Sequence, residues 1–261
     1  MSVTGIAVNC ADVDRSVAFY EDHLGATLVE RSRQGAVLEI DGGRIELVAL
    51  PPGAQAWDIP PTDDHAEGFW HIGLRVDAVD PIADAVRTAG FGFFIEPVDN
   101  VLAGVRVAFF YDPDGVVIEL VEGELVYTQV VDEDAARARR SLPRSGRARF
   151  DHVAFTTPTW HETKASWESV GFTVIGTLAL EDDPRGALLY YLSDGSDLVI
   201  EVFTFADAVG PGRPADLARG FAGLIIPSPP QERAVLIQIG ESPDGRTRLS
   251  DPRGLSVIAA R

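Results

Sequence analysis

Asp112-Pro113-Asp114-Gly115-Val116-Val117-Ile118-Glu119-Leu120-Val121 is a tight turn followed by an apolar run with a single carboxylate inside it. The Asp-Pro-Asp-Gly portion supplies turn chemistry. The run behind it has the composition of a strand covered on both faces. Glu119 therefore poses a problem that the fold must solve. A buried carboxylate without a partner is strongly unfavourable, so it must meet a cation, a proton or strong hydrogen-bond donors.

The same arrangement recurs along the chain. Glu201 sits inside Leu198-Val199-Ile200-Glu201-Val202, and Glu46 inside Ile45-Glu46-Leu47-Val48, with Arg44 before it. Asp251-Pro252-Arg253-Gly254 leads into Leu255-Ser256-Val257-Ile258, a closing run with no carboxylate. Upstream of each closing run lies a short apolar opening strand: Ile6 to Cys10, His71 to Val76, His152 to Phe155 and Phe221 to Ile226. Helical periodicity follows three of these openings. The first helix is expected from about Asp14 to Leu24, with Val13, Val17, Tyr20 and Leu24 on one face and Gly25 at its end. The second has Asp80 as N-cap, Pro81 in the first turn, Ile82, Ala85, Val86 and Ala89 inward, and Gly90 as its stop. The third runs from about Trp160 to Val170 and stops at Gly171. The corresponding region of the fourth repeat, Pro229 to Gly240, is poorly patterned, so that copy is degenerate.

Four βαβββ modules and an α+β fold result. Modules one and two are expected to form a first domain at residues 1–126 and modules three and four a second at 148–261, joined by a charged, partly helical linker at 127–147 that includes Ala135-Ala136-Arg137-Ala138-Arg139-Arg140.

Composition narrows the function. A net charge of −18 argues against nucleic acid or an anionic membrane as partner, since both call for basic surface. No apolar run approaches the roughly 20 residues of a membrane helix, and Met1-Ser2-Val3-Thr4 shows no basic segment before an apolar stretch. A cytoplasmic protein, monomeric or homodimeric and acting on a small molecule, is expected. Cys10 is the sole cysteine, so any metal must be held by imidazole and carboxylate. Cys10 itself reads as a small core residue. His23 and His65 fall in surface segments, and Asp41-Gly42-Gly43 reads as a hairpin turn.

Asp12-Val13-Asp14-Arg15-Ser16-Val17-Ala18-Phe19-Tyr20, with Leu24-Gly25 after it, resembles the first helix of glyoxalase and bleomycin-resistance proteins. Asp112 to Gly115 followed by Ile118-Glu119-Leu120 resembles their closing strand, and Asp251 to Gly254 echoes it. The resemblance to this vicinal-oxygen-chelate superfamily covers nearly the whole chain. It implies two cup-shaped domains, each built from two modules. It also implies metal ligands on the first and last strands of a module, at a His-type and a Glu-type position. Carried onto this sequence, the pairs are Gly5 with Glu46, His71 with Glu119, His152 with Glu201, and Phe221 with Ile258.

Two pairs are intact, and they belong to neighbouring modules. Forty-eight residues separate His71 from Glu119, and 49 separate His152 from Glu201. One divalent metal is the simplest answer for two buried carboxylates and two strand-borne imidazoles at matching positions. If module two pairs with module three, the ligand set is His71, Glu119, His152 and Glu201. If module one pairs with module two, it is Glu46, His71 and Glu119, which strands His152 and Glu201. The first pairing is preferred, with Arg44 or Arg75 left to satisfy Glu46.

Two imidazoles and two carboxylates suit Ni²⁺, Zn²⁺, Co²⁺, Mn²⁺ or Fe²⁺. The resemblance implies glyoxalase-type lyase or isomerase chemistry through an enediolate held by the metal, with a ligand carboxylate as the base. Glu119 and Glu201 are equivalent candidates for that catalytic role. An extradiol ring-cleaving dioxygenase is the alternative. It would use His71, His152 and one Glu, with His161, Tyr190 and Tyr191 as candidates for an acid or base beyond the metal ligands. A third reading is a metal-free binding or resistance protein holding an aromatic ligand against Trp70, Phe93, Phe94 and Phe110, residues that also suit a core.

Overall fold

The computed structural model describes residues 3–50, 64–140, 146–210, 220–226, 237–241, 247–250 and 256–259. Module one comprises β1 (Gly5–Cys10), α1 (Val13–Leu24), β2 (Thr27–Ser32), β3 (Gly35–Ile40) and β4 (Gly43–Ala49). Module two repeats it with β5 (Gly68–Val76), α2 (Val79–Thr88), β6 (Phe93–Asn100), β7 (Val105–Tyr111) and β8 (Val117–Gly123). A short β9 (Gln129–Val130) and α3 (Glu133–Arg140) follow. Module three is β10 (Arg149–Thr156), α4 (Trp160–Ser169), β11 (Thr173–Ala179), β12 (Leu188–Ser193) and β13 (Val199–Thr204). Module four contributes β14 (Gly220–Ile226), β15 (Ile237–Glu241), β16 (Thr247–Ser250) and β17 (Ser256–Ala259).

The fold is α+β, with two cup-shaped sheets that divide the modules out of chain order. One sheet has the strand order β15-β16-β17-β14-β1-β4-β3-β2 and joins module four to module one. The other has the order β6-β7-β8-β5-β10-β13-β12-β11-β9 and joins module two to module three. Opening strands form both seams: β1 runs antiparallel to β14, and β5 antiparallel to β10. Each cup thus takes one module from residues 1–126 and one from 148–261, so the sheets do not follow the expected division into a 1–126 domain and a 148–261 domain.

Local chemistry explains the helix limits. Asp12 caps α1 by accepting from the Arg15 amide, and Gly25 ends it in the left-handed region at φ 68°. Val13, Val17, Tyr20 and Leu24 are all buried, as their periodicity requires. Helix α2 departs from expectation. It begins at Val79, before Asp80, and its N-cap Ala78 has no side chain to offer. Glu122 Oε2, on β8, accepts from the Val79 amide at 2.9 Å instead, so a tertiary contact sets the start. Val79, Ala83 and Val86 form its buried face, while Ala85 and Ala89 are exposed.

The stretch expected to be a bland linker is tied into the sheet. Strand β9 extends it at β11, and α3 buries Arg139. In the fourth module, Ile237 to Gly240 belongs to β15, and the rest of the segment scanned for a helix lies outside the described residues. No helix among the described residues is long and apolar enough to cross a membrane.

The two cups are also clamped through module one's helix. Tyr20 Oη donates to Asp112 Oδ2 at 2.8 Å, and Ser16 Oγ donates to Asp114 Oδ2 at 2.5 Å. The Ala11 amide donates to Asp114 Oδ1 at 2.9 Å. The turn before β8 is therefore held by α1 of the other sheet.

A fragment of residues 1–126 keeps α1 and its clamp but leaves β1 and β5 without their seam partners. Open strand edges of this kind pair with other chains. The purified fragment is expected to self-associate, with a light-scattering mass of a dimer or larger. A folded monomer would contradict the shared-sheet architecture.

Candidate active site

Strands β5 and β10 lie side by side at the seam and carry His71 and His152 toward each other. In register, His71 lies opposite Ala154 and His152 opposite Gly73. The closing strands flank them: Glu119 on β8 is level with Gly73, and Glu201 on β13 is level with Ala154. Small residues at Gly73 and Ala154 leave room for the imidazoles. A Cβ placed on Gly73 would lie 2.0 Å from His152 Cε1.

All four side chains are buried and converge. His71 Nε2 lies 3.0 Å from His152 Nε2, 3.2 Å from Glu119 Oε2 and 3.3 Å from Glu201 Oε2. His152 Nε2 lies 2.9 Å from Glu119 Oε2 and 3.2 Å from Glu201 Oε2. The four donor atoms lie within 4.8 Å of one another. Donors about 2.1 Å from a shared ion at right angles are separated by about 3 Å, so the spacing fits one divalent cation. The alternative set is not assembled. Glu46 lies on β4 in the other sheet, 3.6 Å from Arg44 Nε, apart from His71 and Glu119.

Two β-bulges set the surroundings. At the first, Phe150 faces Leu74 and His152 faces Gly73, so Asp151 is the extra residue. At the second, Ala154 faces His71 and Phe155 faces Phe69, so Trp70 is the extra residue. Each bulge brings the residue before a histidine onto the cup's concave side. The two residues differ in chemistry. Asp151 Oδ2 is 2.9 Å from His152 Nδ1, whereas His71 Nδ1 has no hydrogen-bond partner and Trp70 packs edge-on against its ring at 4.2 Å. Asp151 is itself paired with Arg139 Nη2 and with Arg75 Nη2 at 3.0 Å. Burial works to raise the Asp151 carboxyl, but the Arg139 charge and the His152 hydrogen bond hold it well below its usual range. An ionised Asp151 can only accept, so His152 Nδ1 donates to it. Burial works to lower the His152 imidazole, but Glu201, Asp151 and Glu119 hold it well above its ordinary value, so a metal ion would have to displace the Nε2 proton that faces the carboxylates.

The carboxylates are also unlike. Tyr191 is level with Glu201 and donates its hydroxyl to Glu201 Oε1 at 2.5 Å. The matching position beside Glu119 is Phe109, which has no hydroxyl. Burial works to raise both glutamates, yet the imidazoles outweigh it and hold both below the ordinary value.

The model of the glyoxalase/bleomycin resistance protein/dioxygenase superfamily matches residues 3–120. A lactoylglutathione lyase of Haemophilus influenzae is 30% identical over 131 residues, 48% of this chain and 94% of that protein. The uncharacterised protein YwkD of Bacillus subtilis is 30% identical over 129 residues, 46% of this chain and 96% of that protein. The chain belongs to the glyoxalase/bleomycin resistance protein/dioxygenase superfamily. Its fold matches the crystal structure of glyoxalase I from Zea mays with a TM-score of 0.69 at 16% identity, covering 99% of this chain and 92% of that one.

In the cup of modules one and four, the positions expected to carry histidine hold Gly5 and Phe221. A Cβ on Gly5 would lie 1.9 Å from the Arg44 carbonyl oxygen, so that position has no room for a side chain. Phe221 stacks on Phe69 at 3.9 Å across the two sheets. Tyr190 stacks on Trp160, and His161 is exposed on α4. His23 and His65 lie outside the cluster. Of the aromatics considered for a binding cup, Trp70 lines the cavity over the cluster, joined by Phe109 and Phe203. Phe110 and Phe93 pack into the helix-side core, and Phe94 is exposed. Sequence periodicity carries no sign of Asp151, Arg139 or Gly73, because their roles depend on bulges and on tertiary packing.

Gly73→Ala drives a methyl group into the His152 ring. A loss of about 1–3 kcal/mol of unfolding free energy is expected by urea titration, typical of overpacking a tight site. Native stability in this variant would contradict the seam geometry.

Proposed function

We propose that His71, Glu119, His152 and Glu201 hold one divalent metal ion per chain and that the chain is a glyoxalase-type lyase or isomerase. The observation that carries this reading is the convergence of two imidazole nitrogens and two carboxylates at 2.9–3.3 Å in a buried site. Such a set without a cation must share protons among facing donors, whereas a divalent ion satisfies all four at once. Bound there, the ion would polarise substrate oxygens and balance the negative charge that develops on them.

The chain's own residues divide the remaining work. His152 is fixed in orientation by Asp151, which Arg75 and Arg139 anchor in turn. Glu201 is fixed by the Tyr191 hydroxyl. Glu119 has no such anchor, and its side chain is the most exposed of the four at 11%. We assign Glu119 as the base that takes a proton from the carbon beside a substrate carbonyl and returns it to the neighbouring carbon. Glu201, by contrast, is a positioning ligand. The Haemophilus influenzae relative named lactoylglutathione lyase supports this reaction class. A four-donor set also leaves less room for oxygen beside a substrate than a 2-His-1-carboxylate face does, which favours redox-neutral chemistry over ring cleavage.

Elemental analysis after metal loading is expected to give one divalent ion per chain, and two would refute the loss of the second site. His152→Ala should lower metal affinity at least tenfold. Glu119→Gln should reduce turnover on a 2-oxoaldehyde hemithioacetal at least a hundredfold. Tyr191→Phe should retain most of it. Solvent deuterium should enter the product carbon under anaerobic conditions. Turnover that requires oxygen and opens an aromatic ring would overturn the assignment.

A further inference from the structure

The cavity over the cluster has a volume of about 560 Å³, and its walls are not neutral in their preferences. Trp70, Phe109 and Phe203 stand beside the histidines, with Trp70 packed on Phe109 at 5.5 Å and edge-on to Phe203 at 4.8 Å. Leu178 and Leu189 continue the apolar wall. At the mouth, Val98, Val101 and Leu102 remain 46%, 86% and 42% exposed. Six large apolar side chains are this exposed among the described residues, and three of them ring one opening. Scattered exposed apolar residues need no explanation, but a group at the entrance of a cavity marks a surface that a ligand covers.

The charges point the same way. Arg185 at the mouth is held by both oxygens of Asp64, at 2.7 and 2.9 Å, and by Asp183 at 2.7 Å. Arg75 and Arg139, deeper in the wall, share the single carboxylate of Asp151. Asp182 adds negative charge to the lining, while Asp99 is paired with Arg106 at 2.9 Å. Among the described lining residues every arginine is paired with a carboxylate, in a chain that already carries −18. An anionic substrate would meet repulsion at the entrance and could reach an inner guanidinium only in competition with Asp151.

We infer that the site takes an uncharged, predominantly apolar molecule bearing two neighbouring oxygens, rather than an anionic peptide conjugate. Val98, Val101 and Leu102 are its specificity-determining rim. The inference rests on the proposed function of the same site, because the two oxygens are those that the His/Glu cluster and its ion would receive. The cavity's size suits a compound of ordinary drug-like dimensions.

The test uses two hydroxamic acids with the same oxygen-bearing head, biphenyl-4-carbohydroxamic acid and succinic monohydroxamic acid. Each is titrated calorimetrically into metal-free and metal-loaded protein. The biphenyl probe should bind at least tenfold more tightly than the succinic probe in both forms. Val101→Asp, at a position too exposed to disturb folding, should weaken the biphenyl probe at least threefold. Equal or tighter binding of the succinic probe, or an unchanged biphenyl affinity in Val101→Asp, would overturn the inference whatever the metal does. The gain of both probes on metal loading reads the functional proposal separately, since absence of that gain would count against the ion and not against the apolar rim.

Discussion

The antiparallel pairing of β5 with β10 is the contact on which the rest of the molecule depends. It joins residues that are far apart in the chain, makes one sheet from modules two and three, and sets His71 and His152 at adjacent heights across the seam. Neither histidine belongs to a complete site in its own half of the sequence. The loop-closure cost of bringing these halves together is offset by a continuous apolar core beneath the seam, including Ile72, Leu74, Phe150 and Val153. The polar cluster then occupies the concave side of a sheet whose other side is fully packed.

A repeated architecture supplies symmetry, and the chemistry here comes from how that symmetry is broken. Two bulges at related points of the seam aim Asp151 at one imidazole and Trp70 at the other. Tyr191 and Phe109 stand at related positions beside the two glutamates. Module three therefore contributes an anchored imidazole and an anchored carboxylate. Module two contributes a carboxylate with apolar neighbours. A site built from two equal halves offers no distinction between a group that stays and a group that moves. These two differences provide one, without altering any of the four convergent donors.

Much of this was legible in the sequence, for a physical reason. A carboxylate inside a β-branched run has few explanations, so Glu119 and Glu201 identified themselves, and the count of intact His/Glu pairs favoured joining modules two and three. The aspects that escaped depend on tertiary contacts. Asp151 and Trp70 reach the cavity through register shifts that leave no trace in a two-residue periodicity. The onset of α2 is set by Glu122 rather than by Asp80. Arg139 lay in a run that reads as a charged linker, yet it is buried against Asp151 because that carboxylate, once fixed behind His152, requires a cation. Gly73 is silent in any pattern until the imidazole opposite it is placed.

The central claim is that one ion is shared by two imidazoles and two carboxylates drawn from opposite halves of the chain. X-ray absorption at the metal edge of the cobalt-loaded protein tests it most directly. The account predicts a first shell of nitrogen and oxygen with the outer-shell scattering of two imidazoles, falling to one imidazole in His71→Ala. A first shell containing sulfur from Cys10, or scattering from a single imidazole in the unaltered protein, would contradict it.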